Sequence, residues 1–249
     1  MLIERPAFLL SAVLLVVSAR SEAQSAAVKL HVDVHPTAAF LAGNVTRVSY
    51  IVANDSGSTD RLFEFAVRSP VPVWRLELPT PRAQYHGVTR EGGEDVASWG
   101  WLDDMPRPGE ASPVLAYEAI GLPGIVSYRV LRYFGVREAS PVADGAELLS
   151  FDRTSAEYTI GKTVGVVSLP FDLRPTALAA RLRRLVDQAC ELGWIQGGDT
   201  CRTLHANARP SAKAIRALHR ELVAQRGRSV SEAAFALLAL NAEFLLTKM

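Results

Sequence analysis

Cysteine is nearly missing from this chain: its 249 residues include only Cys190 and Cys201. So few exclude a disulfide-dense miniature scaffold, and the lack of any C-x-x-C excludes the usual dithiol redox site. Zinc chemistry is short of ligands too, since His205 alone stands near the cysteines in sequence. Net charge is scarce as well. The 27 Lys or Arg and 26 Asp or Glu leave +1, which argues against general nucleic-acid binding because phosphate contacts need a clustered positive excess. Past the N-terminus no run reaches the ~18 uninterrupted apolar residues of a membrane span. There is no G-x-S-x-G, and no Cys-His or Ser-His arrangement is legible. The G-K-T at Gly161 to Thr163 fails as a phosphate loop, because Ala156 stands where the first glycine is required.

What is present begins with a targeting segment. Arg5 precedes the apolar run "PAFLLSAVLLVVSA", and Ser21 and Ala23 follow at the small-residue spacing that a signal peptidase reads. The pattern predicts a signal peptide over residues 1–23, leaving a secreted or periplasmic chain from Gln24 with no integral membrane segment. In an oxidising compartment Cys190 and Cys201 are disulfide candidates. Closing so short a loop would stabilise the fold by roughly 3 kcal/mol.

Charge divides the chain near residue 170. From Asp172 to Met249 there are twelve Lys or Arg against seven Asp or Glu, a net of +5; the preceding residues hold fifteen against nineteen, a net of −4. The acidic front reads as strands. "VKLHVDVHP" alternates, with Val28, Leu30, Val32 and Val34 on one face, Lys29, His31, Asp33 and His35 on the other, and Pro36 as the terminator. Val48, Tyr50 and Val52 share a face before the turn "NDSGSTD", and Phe63, Phe65 and Val67 follow. "VWRLELP", "DVASWGWL", "SPVLAYEAI" and "GIVSYRVLRYF" continue the series, and Pro70, Pro72, Pro79 and Pro81 mark edges that resist pairing with another chain. About seven short strands without a convincing helix predict a β-sandwich over residues 24–135. Residues 136–173 read as a final extended segment and a linker. The stretches "YIVANDSGS" and "RPGEASPVLAYEA", in this strand order, resemble the immunoglobulin-like modules of exported bacterial proteins. The resemblance implies an immunoglobulin-like sandwich, here without an intersheet disulfide.

The tail reads as a small all-α bundle over residues 174–249. Leu178, Leu182, Leu185, Val186, Ala189 and Leu192 repeat at helical spacing from Pro175, and Gly193 is placed as a left-handed stop with Trp194 folding back. Asp199 or Thr200 would cap a short second helix carrying Leu204 and Ala208. Pro210 would begin a third, with Ile215, Leu218 and Leu222 as its buried stripe, and Gly227 would stop it. Ser229 and Glu232 have the spacing of a capping box for a fourth helix, whose inner face would be Val230, Ala234, Leu237, Leu238, Asn241 and Leu245. "LVDQACELGWI" with Cys201 and Leu204, followed by "LVAQRGRSVSEAAFALLALNAEFLL", resembles the FIMAH helical module appended to many exported bacterial proteins. This chain departs from the family at "HANARPSAK", a clipped connection that implies a truncated second helix. The resemblance implies an accessory module with no catalytic residue to carry over.

Several constellations invite a functional reading. His31 and His35 lie four strand steps apart, roughly 13 Å, too far for one zinc ion. Trp99 and Trp101 fall on the same side of a strand, where flat indoles form either a sugar-stacking platform or, more commonly, packed core. Arg209, Lys213, Arg216 and Arg220 form one stripe opposite Ile215, Leu218 and Leu222; such a stripe is either a solvated helix face or a docking surface for an acidic partner such as an anionic glycan or lipid head groups. Asp103 and Asp104 sit in the turn-like "WLDDMPRPG", and His86 and Ser98 could meet in space. Asn44 to Thr46 and Asn54 to Ser56 are glycan acceptor sequons, expected to be idle in a bacterial protein. The expectation is a secreted non-catalytic binding or interaction protein of the bacterial envelope or exterior, without cofactor or metal and with a glycan or protein partner. Two alternatives stay open: a secreted hydrolase with its active site on the sandwich, and a carbohydrate-binding accessory module using Trp99 and Trp101.

Overall fold

Period-two alternation and helical stripes each find a partner surface in the computed structural model of the chain, which describes residues 30–77, 85–133 and 158–249. Among the described residues nine strands come first: β1 (Val32–Phe40), β2 (Val45–Asn54), β3 (Leu62–Ser69), β4 (Val73–Glu77), β5 (Tyr85–Glu91), β6 (Glu94–Gly100), β7 (Leu115–Ile120), β8 (Leu122–Arg132) and β9 (Tyr158–Val167). Four helices follow: α1 (Pro175–Glu191), α2 (Gly198–Asn207), α3 (Ala212–Gln225) and α4 (Glu232–Leu246). The expected signal peptide, Pro79 and Pro81, and most of the expected linker fall outside the described residues.

The strands make two antiparallel sheets, ordered β1-β2-β7-β4 and β5-β6-β3-β8-β9. Taken as A-B-E-D and as G-F-C extended by two further strands, this is an immunoglobulin-like β-sandwich. One departure is that β4 precedes the added β5–β6 hairpin in the chain. Between the sheets Tyr50, Phe65, Trp99 and Tyr117 pack ring against ring, with Tyr50 as the hub at centroid distances of 5.3 to 6.4 Å. All four are fully buried.

The sequence reading stopped β1 at Pro36. Instead β1 continues to Phe40, with Pro36 buried opposite Tyr50. An edge strand has a partner on one side only, so a missing amide hydrogen is tolerated there. The extended piece expected before the tail is a full strand, β9, paired with β8 from Leu122↔Val167 to Leu131↔Tyr158. The G-K-T look-alike lies inside it. Gly161 is small because a Cβ there would stand 2.5 Å from the Tyr128 ring, and one on Gly165 would stand 2.5 Å from Val126 and 2.9 Å from the Tyr117 hydroxyl. Two core tyrosines hold this strand from the other sheet. The Tyr50 hydroxyl donates to the Val164 carbonyl at 2.8 Å, and the Val166 amide donates to the Tyr117 hydroxyl at 2.9 Å.

The helices pack on the sandwich, and the apolar cluster they enclose extends into its second sheet. Beyond the inner face read from the sequence, α4 also buries Ala233, Ala236, Ala239, Leu240, Ala242 and Phe244. A helix apolar over most of its surface must be covered on more than one side. It packs against α1 and α3 and also against β1, β8 and β9. One apolar cluster therefore joins Leu182, Ile215, Leu218 and Leu237 to Leu122 and Val164 of the sheet, with Phe40 set 6.1 Å from Phe244. A polar node fixes the docking. The buried Asn241 amide donates to the carbonyls of Pro123 in β8 and Leu237, at 3.0 and 2.6 Å, and its oxygen accepts from Arg181 of α1 at 2.5 Å. Arg181 donates to the same Pro123 carbonyl at 3.2 Å, and burial lowers its pKa to about 10.

Helix ends differ from the sequence reading in detail. Gly193 and Gly227 do adopt left-handed conformations, at φ 70° and 71°. α2 starts at Gly198, after Gly197, with no side-chain cap from Asp199 or Thr200, and α3 starts at Ala212 rather than Pro210. The cap of α4 is Ser231, whose hydroxyl accepts from the Ala234 amide. Ser229 donates instead to Gln225, and Glu232 is held by the Arg226 guanidinium, which lowers its pKa. The disulfide forms: Cys190 at the end of α1 joins Cys201 in the first turns of α2, Cα to Cα 6.2 Å.

Two outcomes follow from this packing. Asn241→Ala removes three hydrogen bonds and strands the Pro123 carbonyl against Arg181 alone; it should cost about 1–3 kcal/mol in denaturant unfolding. Burial raises the Tyr50 and Tyr117 pKa values above 10.0. The folded state thus holds these protons more tightly than the unfolded state, so stability is full below pH ~10 and falls as pH rises beyond it. Unfolding midpoints measured across that range should show the decline, and Tyr50→Phe should make it shallower.

Candidate anion-binding face

Helix α3 turns Ile215, Leu218 and Leu222 inward, each fully buried. Its outward positions are consequently free to carry charge. Lys213, Arg216 and Arg220 follow one another at i, i+3 and i+7, so the helical repeat puts them on one exposed face. Arg209 lies before the helix and is brought to the same surface by the turn through Pro210: a hollow of about 400 Å³ is lined by Asn207, Arg209, Pro210, Ser211 and Lys213. A second hollow, about 270 Å³, lies at the other end among Arg216, His219, Arg220, Glu243 and Leu246. There the Glu243 carboxylate stands 3.2 Å from the His219 ring, so negative charge is present at that end.

None of the four basic side chains meets a carboxylate of a described residue. Several other arginines are matched: Arg47 with Glu77, Arg68 with Glu94, Arg132 with Asp60, Arg174 with Asp172 and Arg226 with Glu232. A run of uncompensated cations on one face creates a local positive field, which neighbouring carboxylates would otherwise cancel.

The other candidates are dispersed. Trp99 and Trp101 are both fully buried, which corrects the reading of them as a ligand platform. The physical reason is strand parity: Trp99 follows Ala97 on the inward face of β6, its indole donating to the Glu77 carbonyl at 3.1 Å, and Trp101 keeps the alternation just past the strand's end. His31 and His35 lie exposed on and before β1, and no cluster of three potential metal ligands occurs among the described residues. His86 is exposed and pairs in register with Trp99, while Ser98 stands opposite Gly87, so the ladder does not set the two side by side. Asp103 and Asp104 are exposed in the bend after Trp101. Asn54, the first residue of one sequon, is buried, its amide donating to the carbonyls of Asp60 and Pro106.

Sequence reasoning missed the buried charge in the second sheet. Arg129 of β8 donates to Glu64 of β3 at 3.2 Å and approaches Glu91 of β5 at 3.8 Å, with its guanidinium 5.8 Å from the Tyr158 ring centre. Three strands separated in sequence supply these charges, so no local motif announces them. The one guanidinium bridges two carboxylates and so ties β3, β5 and β8 together.

No protein-family model matches the chain, its helical tail included, and no curated protein matches it. Among solved structures, an uncharacterised protein from Nocardia farcinica described as immunoglobulin-like aligns at 15% identity and TM-score 0.32, over 57% of this chain and 99% of that one. A GH20 exo-β-N-acetylglucosaminidase from Vibrio harveyi aligns at 10% identity and TM-score 0.29, over 57% of this chain but only 18% of the enzyme. The chitin-binding domain of Chi18aC from Streptomyces coelicolor aligns at 18% identity and TM-score 0.23, over 38% and 83% of the two chains. Likenesses this faint assign no activity.

The buried ion cluster generates its own test. Arg129→Met leaves the Glu64 carboxylate buried without its guanidinium, and should lower unfolding free energy by about 3–5 kcal/mol. Double substitution of Arg129 and Glu64 by apolar residues should recover much of that loss in the same assay.

Proposed function

We propose that this chain is an exported, non-catalytic binding protein that uses the outer face of α3 to dock on an acidic partner of the bacterial envelope or exterior. The single observation that carries the reading is the set of four basic side chains, Arg209, Lys213, Arg216 and Arg220, exposed together and unmatched by any described carboxylate. Sulfate, phosphate or carboxylate groups on a polymer or on lipid head groups supply the complementary charge. The short spacing of the cations suits a repeating anion better than a single small ion, because the charge is spread along the helix. Export is supported by the signal-like N-terminal segment and by the Cys190–Cys201 disulfide, a bond that persists in oxidising compartments. An accessory role for the tail is supported by its resemblance to FIMAH modules, although in this chain the helices also share a core with the sandwich.

Heparin chromatography and co-sedimentation with vesicles containing anionic lipid test the reading and separate the two sources of charge. The wild-type chain should be retained on at least one of them, with retention lost as salt rises. The Arg216→Glu/Arg220→Glu double variant should elute at lower salt, with thermal stability unchanged because both positions are exposed. Failure of the wild type to bind either probe, or equal retention of the double variant, contradicts the proposal.

A further inference from the structure

The outer face of the β1-β2-β7-β4 sheet carries a feature that an anion-binding helix does not use. Trp74 is 69% exposed, although an indole ring is normally sheltered from water. Trp99 and Trp101 are fully buried and Trp194 is half-buried, so Trp74 is the tryptophan the fold leaves open. It sits where the β4–β7 register slips: Val73 lies opposite Ala119 and Arg75 opposite Glu118, with Trp74 as the extra residue of the bulge. Bulges re-aim side chains and are commonest at sheet edges and binding sites.

The strand positions next to Trp74 are polar. The register sets Arg47 of β2, Glu118 of β7 and Arg75 of β4 side by side across the strands. Arg47 also reaches Glu77 of β4 at 2.5 Å; the residue between them, Ala116, has only a methyl group and leaves room for that crossing. Arg47 and Glu77 keep 39% and 25% of their side chains in water, and Arg75 is exposed. Two guanidinium groups and two carboxylates leave no net charge, so the field that would draw a polyanion to α3 is cancelled on this face. Strand addition to the β4 edge is opposed by the bulge, which interrupts the ladder.

A pyranose unit suits this combination. The apolar C–H face of a sugar ring can lie on an open indole, and its hydroxyls can donate to a carboxylate and accept from a guanidinium in the same plane. We propose that Trp74, with Arg75, Arg47 and Glu77 around it, is a binding site for an uncharged glycan. The site shares no residue with the α3 face, so either assignment can fail without the other.

Incubating the full chain with insoluble chitin, insoluble cellulose and a soluble β-1,3-glucan tests the proposal by depletion from solution and by Trp fluorescence. Binding to at least one glycan should persist at high salt and survive the Arg216→Glu/Arg220→Glu double substitution. Trp74→Ala should weaken it at least about tenfold, as expected for loss of a central aromatic anchor. Trp74→Phe should retain part of the affinity, and circular dichroism should show both variants folded. The proposal is overturned if the wild type binds none of the three, or if Trp74→Ala binds as the wild type does.

Discussion

Helix α4 is buried over most of its circumference, leaving only the stripe through Glu232 and Glu243 toward water, and that constraint organises the rest of the molecule. Its fifteen residues include eleven buried ones, so neither a two-helix contact nor a sheet alone could cover it. Each fully buried Leu contributes about 1.5–3 kcal/mol relative to exposure, which makes separation of α4 from either neighbour costly. The apolar contact is non-directional; the polar node supplies the direction. Asn241 and Arg181 converge on the Pro123 carbonyl, so one backbone group of the sheet registers two helices at once. Sliding α4 along the sheet would leave a buried amide, a buried guanidinium and a carbonyl unsatisfied together. The helices and the sandwich thus make one body, and α3 holds its orientation to the sheets through α4.

Much of this was legible where periodicity is local. Val48, Tyr50 and Val52 alternate in sequence and line the core, and the stripes of α1 and α3 bury the residues their spacing names. The disulfide was legible from two cysteines and a compartment. The docking of the tail was not, because a search for one inner face in α4 passes over the residues of its other side: Ala236, Leu240 and Phe244 needed a second covering layer that the sequence places far upstream. The same holds for β9. "YTIGKTVGVV" alternates weakly because its glycines answer to Tyr128, Val126 and Tyr117 across the fold. Cap positions slipped by two or three residues; at α4, Ser229 and Glu232 turn to Gln225 and Arg226 at the end of the preceding helix instead of to each other's backbone.

The candidate sites follow the same division. The basic stripe was readable because helical spacing sets its face, and only Arg209 lies outside the helix that carries the others. The tryptophans could not be sorted by sequence. Trp99 and Trp101 occupy inward positions of a central strand, while Trp74, in a short edge strand, is turned to solvent by a register slip that no residue pattern encodes. The two surfaces differ in chemistry as well as in position: one concentrates uncompensated cations, the other sets equal numbers of cations and carboxylates near an exposed tryptophan.

The most direct test of that single-body account is denaturant unfolding of the Trp194→Phe variant followed by two probes. Far-UV circular dichroism reports chiefly the helices; the remaining tryptophans all lie in the sandwich, and of these the buried Trp99 and Trp101, unlike the exposed Trp74, change environment when its core opens. The account predicts coincident transitions with one midpoint. Loss of the helical signal at lower denaturant, with the sandwich tryptophans still shielded, would contradict it.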